Sequence, residues 1–173
     1  IQNLEKANIK NLDNPNKIAS NVLGNYGRIF AEYVYLKKFR NNKLQKYISI
    51  DGLEHLENYK KKNKKAVFIS GHFNNFELMA MEIEKAGIDL ATIYRPLNNI
   101  YLNKTMEKIR KENICKHQIK KGRSGSRQVI KNLIEGKSIA LMIDQRVREG
   151  EKVKFFNNLA TTTTIPAQLV KKY

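Results

Sequence analysis

Short apolar runs alternate with helically spaced apolar residues along the whole chain, and this alternation restricts the fold more than any other feature. Ala66–Ser70, Leu90–Tyr94, Ile114–Ile119 and Ile139–Ile143 have the length and side chains of strands. Between them, Phe76–Ala86, the trio Leu102, Met106 and Ile109, and the stripe Val129, Ile130, Leu133 and Ile134 follow helical spacing, with Gly87 and Gly136 as stops. Upstream, Asn14-Pro15 reads as a helix start, with Asn14 as N-cap and Pro15 in the first turn. Ile18, Val22, Tyr26, Ile29, Phe30, Tyr33 and Val34 then give one apolar face to about Lys38. Gly24 and Gly27 weaken that helix by about 1 kcal/mol each relative to Ala, which predicts close packing or a bend there. Tyr47–Ile50 reads as a short strand. Leu53, Leu56 and Tyr59 read as a helix ended by the basic run Lys60–Lys65. Val153–Phe156 reads as a further strand, Thr161–Thr164 as a low-complexity patch, and TIPAQLVKKY as a helix.

Strands alternating with helices predict an α/β fold, a layered α-β-α sandwich with a mainly parallel central sheet. No shift in composition divides the 173 residues, so one domain, 1–173, is expected. Ile1 does not look like a start, and Tyr173 falls inside a helical pattern, so the sequence is expected to be a piece cut at both ends.

The net charge is +17, which calls for anionic partners: an anionic membrane surface, phosphorylated lipid, an acidic protein or nucleic acid. A Lys- and Asn-rich composition accounts for part of the excess. One cysteine, Cys115, excludes an internal disulfide framework and suits a reducing compartment. Three scattered histidines make no zinc-ligand pattern. No apolar run approaches the roughly 18 residues needed to cross a bilayer. IQNLEKANIKNL has neither the basic nor the apolar region of a signal peptide.

Chemistry concentrates in SGHFNNFELM, Ser70 to Met79. In a parallel sheet, ligands bind beyond the carboxyl ends of the strands, and His72 stands at that edge after Ala66–Ser70. Glu77 falls on the first turn of the next helix, from which its side chain can fold back to the imidazole. Such a pair makes a general base: neutral imidazole takes a proton from a hydroxyl, and the carboxylate holds one tautomer. The same spacing also fits a capping box, with Asn74 as cap and Glu77 closing it. Asp144 ends a buried-type strand, where a charge needs a partner. Arg110 lies on an amphipathic helix, where a solvated Arg is the ordinary case. Arg95, before Pro96, can anchor a loop or touch substrate.

SGHFNNFELM resembles the H-x4-E/D signature of glycerolipid-type acyltransferases, and with Glu it is more similar to the lipid A biosynthesis (lauroyl/myristoyl) acyltransferase family. NYGRIFAEY, ISIDGLEHLE, IYRPLNNIYLNKTMEKIR, KGRSGSRQVIKNLIEGKSIALMIDQ and KVKFFNNLATTTTIPAQLVKKY resemble further segments of that family, in order, over residues 20–173. Asn157 stands where a Gly is usual, and the family's N-terminal membrane helix and continuation past the P-A segment are missing here. The resemblance implies a glycerolipid-acyltransferase-like fold and transfer of an acyl group from acyl carrier protein to a hydroxyl of a lipid A precursor, with no metal or other cofactor. It implies His72 as base, Glu77 as its orienting group, and Arg110 and Asp144 as further catalytic residues. Arg95, Asn74 and Asn75 are the expected substrate contacts. It places the protein at the cytoplasmic face of the inner membrane, with the clusters Lys60–Lys65 and Lys116–Arg127 toward anionic lipid or acyl carrier protein. Two other readings stand beside it: a lysophospholipid or other glycolipid acyltransferase, and a basic nucleic-acid-binding module. The second lacks RNP aromatics, zinc ligands or GXXG, so no nucleic-acid partner is expected.

Overall fold

The computed structural model describes residues 1–8, 14–62 and 64–173, and of Arg123 the backbone only. Asn63 in the Lys60–Lys65 run and the Arg123 side chain in the Lys116–Arg127 run thus lie outside the described residues. The elements are, in order, α1 (Gln2–Ala7), α2 (Pro15–Glu32), a 3-10 turn (Tyr33–Tyr35), α3 (Leu36–Arg40), α4 (Leu53–Lys61), β1 (Val67–Ser70), α5 (Glu77–Lys85), β2 (Leu90–Tyr94), α6 (Ile100–Asn113), β3 (His117–Lys120), α7 (Arg123–Ile134), β4 (Ser138–Met142), β5 (Glu151–Phe155), β6 (Asn158–Thr162) and α8 (Ile165–Lys172).

Strands β1 to β4 form one parallel sheet in the order β1-β4-β2-β3. Side chains alternate across a strand, so each strand feeds two cores. Leu90 and Ala140 face a core shared with α2, α3, α5 and α6, which includes Ile29, Leu36, Met81 and Met106. Ala91, Ile139 and Leu141 face the opposite core, with Val129 and Leu133 of α7 and Leu169 of α8. The molecule is therefore an α-β-α sandwich around a parallel sheet.

Asn14 caps α2 as its position demands, accepting from Asn16 N–H at 2.9 Å, with Pro15 following. The predicted single helix to Lys38 is broken instead at the 3-10 turn. Gly24 and Gly27 lie in the regular part of α2 and explain neither the break nor any close packing: a Cβ on Gly24 would meet only Arg28 at 3.8 Å, and one on Gly27 would meet nothing within 4 Å. Of the predicted apolar face, Ile29 and Tyr33 are buried, whereas Val22, Tyr26, Phe30 and Val34 are exposed. The expected strand at Tyr47–Ile50 is a 3-10 turn at Gln45–Tyr47 leading into extended chain, and no strand of the described sheets pairs with it.

The Val153–Phe156 strand is half of a hairpin whose other half, β6, contains Thr161 and Thr162 of the patch read as low complexity. A run of β-branched threonines is strand material. The turn residues Phe156 and Asn157 have φ of 46° and 60°. This left-handed backbone is why a glycine would suit position 157 and why Asn is the next best choice.

Gly125 is required by a close approach. A Cβ there would stand 1.9 Å from the carbonyl oxygen of Lys120, because the first turn of α7 folds back against the end of β3. Gly125→Ala is expected to destabilise the protein by about 1–3 kcal/mol, read as a lowered thermal midpoint. An unchanged midpoint would mean that the turn relaxes freely.

Candidate active site

β1 and β4 are neighbours, so the residues just past their carboxyl ends, His72 and Asp144, meet at one edge of the sheet. His72 Nδ1 lies 2.8 Å from Asp144 Oδ1, and the His72 backbone N–H donates to Asp144 Oδ2 at 2.7 Å. Gly71 permits this: a Cβ on it would come within 3.2 Å of Asp144 Oδ2 and 2.7 Å of the Phe73 ring. A carboxylate can only accept, so Nδ1 carries a proton, and in the neutral imidazole the lone pair is on Nε2. Phe76 packs edge-on against the imidazole at 4.8 Å between centroids, and the Gln145 amide nitrogen stands 3.4 Å from Nε2.

Partial burial by itself would raise the Asp144 carboxyl pKa. The hydrogen bonds from the His72 backbone and then its ring outweigh that and hold the group below its ordinary range. A depressed folded value means that this stabilisation is present above the ordinary carboxylate range and is lost as pH falls through the depressed value.

Glu77 does not orient His72, which corrects the pairing expected from H-x4-E. Glu77 begins α5 and is 7% exposed, with its side chain turned into the packing between α2, α5 and α6. Its Oε1 accepts from the Tyr33 hydroxyl and from Arg110 Nε at 2.9 Å and Nη2 at 2.6 Å. Burial, then the Glu77 charge, raise the Tyr33 pKa, so this hydroxyl stays protonated and donates. Desolvation opposes the charge on Arg110, but Glu77 and Tyr33 more than offset it. The guanidinium also lies over the rings of Tyr33 and Tyr94, at 6.0 Å and 5.7 Å.

His72, Glu77, Arg110 and Arg95 all line one cavity of about 390 Å³, together with Tyr94 and Gln145. Met79, from a stripe that also reads as plain core, lines it too, while Leu78 and Ile83 pack in the core. Asn74 and Asn75, expected as substrate contacts, are placed elsewhere. Asn74 adopts φ 40° and uses its backbone carbonyl, not its side chain, to accept from Phe76 N–H at 3.0 Å. Phe76 is the N-cap residue of α5, so the capping-box reading of Asn74 also fails. The Asn75 amide donates to Glu32 at 2.6 Å and ties the corner to α2.

A sequence profile described as bacterial lipid A biosynthesis acyltransferase matches residues 9–173. The chain belongs to that family. It is an acyltransferase of lipid A biosynthesis, and a lipid A precursor is the acceptor that the family implies. No curated protein matches the chain.

For this acyltransferase, the arrangement supplies a polarised imidazole and a fixed cation that line the same cavity. Among the described residues, no group of three or more His, Cys, Asp or Glu could hold a metal ion, and no helix is long and apolar enough to cross a membrane. Sequence reasoning missed Tyr33, which counted there only as part of an apolar face. It also left Gln145 without a role, although the residue beside Asp144 must lie at the same sheet edge. The Tyr94–Glu107 pair escaped it as well. The Tyr94 hydroxyl, then Lys120 and Asn103, hold the Glu107 carboxyl down to about 2 against the opposing effect of burial. That link connects the ends of β2 and β3 to α6.

Proposed function

We propose that this acyltransferase moves a fatty acyl group from acyl carrier protein to a hydroxyl of a lipid A precursor, with His72 as general base and Asp144 as the group that orients it. The His72 Nδ1–Asp144 Oδ1 contact of 2.8 Å at the cavity wall carries this reading. Nε2 takes the acceptor hydroxyl proton as the oxygen attacks the thioester carbonyl carbon. The tetrahedral intermediate collapses, the C–S bond breaks, and the imidazolium returns its proton to the departing thiolate. Arg110, held by Glu77 and Tyr33 through Nε and Nη2, keeps Nη1 for the developing oxyanion, so Glu77 acts on the reaction through Arg110.

The proposed place of action is the cytoplasmic face of the inner membrane. Exposed Leu23 and Phe30 on α2 and Val34 in the 3-10 turn that follows, with Lys37 and Lys38 of α3 just beyond, support attachment to an anionic lipid surface. The deciding assay offers acyl carrier protein and coenzyme A thioesters against a lipid A precursor and against lysophosphatidate. Transfer from acyl carrier protein to the lipid A precursor is expected. Transfer to lysophosphatidate alone would replace this reading with the lysophospholipid one.

A further inference from the structure

Four cations gather where β2 and β3 end, beside the cavity: Arg95, Arg110, Lys120 and Lys121. Two are neutralised locally, Arg110 by Glu77 at 2.6 Å and Lys120 by Glu107 at 3.1 Å. The third carboxylate of this edge, Asp144, is engaged by His72. Arg95 and Lys121 therefore have no acidic partner among the described residues, yet both line the cavity. Their placement is fixed by backbone. Tyr94 and Lys120 are register partners, and the Lys121 N–H donates to the Tyr94 carbonyl at 2.8 Å, so the two chains leave the sheet side by side. Pro96 stiffens the chain just past Arg95.

Two uncompensated cations lining a cavity attract a compact multivalent anion. A guanidinium beside an ammonium suits phosphate oxygens in particular. In the order β1-β4-β2-β3, Arg95 lies two strands and Lys121 three strands from His72. At about 4.8 Å per strand, that is about 10 Å and about 14 Å from the base. We propose that Arg95 and Lys121 form a subsite for a phosphate ester, which anchors one reactant about 10 Å or more from the atom that reacts. Choosing a phosphate ester rests on the acyltransferase reading. Two sources could bring it: the phosphopantetheine arm of the donor and the sugar phosphate of the acceptor.

Calorimetric titration with four probes tests this: 4′-phosphopantetheine, pantetheine, a phosphorylated acylated glucosamine disaccharide, and its dephosphorylated form. The wild-type protein is expected to prefer one phosphorylated probe over its partner by about tenfold or more, and R95Q/K121Q to lose that preference. K104Q, at an exposed lysine outside the cavity lining, is expected to keep it. Preference confined to the phosphopantetheine pair assigns the subsite to the donor, and preference confined to the disaccharide pair assigns it to the acceptor. A wild type without preference, or a double variant that retains it while circular dichroism shows a native fold, overturns the proposal. Acyl transfer in the same preparations separates the two failures. No transfer with phosphate preference intact removes the chemistry and leaves the subsite. Transfer by R95Q/K121Q at wild-type KM removes the subsite alone.

Discussion

Asp144→Asn is expected to lower kcat for acyl transfer by about 10²–10⁴-fold while the protein stays folded, and His72→Ala to lower it at least as far. Asparagine can offer Nδ1 an N–H where a carboxylate offers only lone pairs, so the imidazole loses both its tautomer and the charge that stabilises imidazolium. Because the two residues act as a unit, the double variant should be no slower than His72→Ala. Steady-state kinetics with an acyl carrier protein thioester, beside a thermal melt of each variant, make the measurement. Near-wild-type turnover by Asp144→Asn would end the assignment of Asp144 and return the orienting role to another group.

Glu77→Ala is expected to act first on stability, by about 3–5 kcal/mol, because it leaves the Arg110 charge buried beside Tyr33 with no carboxylate. For a chain of this length that is a fall in thermal midpoint on the order of 10 °C. Arg110→Ala strands the opposite charge and should cost about as much. An apolar pair of similar volume, Glu77→Leu with Arg110→Met, should recover much of the stability and none of the activity, since no cation then faces the oxyanion. A Glu77→Ala protein with a wild-type melting curve and no turnover would instead place Glu77 in direct contact with the reaction.

The contrast between these two carboxylates shows how far the sequence could be read. Spacing alone allowed Glu77 as the partner of His72, since five positions along a strand-to-helix corner bring two side chains within reach, and the family resemblance made it the expected one. Reach is not occupancy. Glu77 begins α5, and its side chain is claimed by Tyr33 from the α2 end and by Arg110 from α6, both far away in sequence. Asp144 was visible as a charge ending a buried strand, but nothing local says which strand lies beside it. The hairpin turn carries the same lesson on a smaller scale: Asn157 looked like a departure from a pattern until its φ of 60° gave the reason for glycine there.

The order of apolar runs and helical stripes, set by periodicity and by turn-forming glycines, determined by itself that strands and helices alternate and that a layered parallel sheet results. It also placed His72 at a carboxyl end, because a strand followed by Gly and a helix leaves a residue nowhere else. Only the tertiary structure decided that β4 lies between β1 and β2, and so which acid touches the imidazole and which cations remain uncompensated at the cavity. Strand order arises from packing two faces of one sheet at once, a property of the whole core that no short stretch of sequence contains.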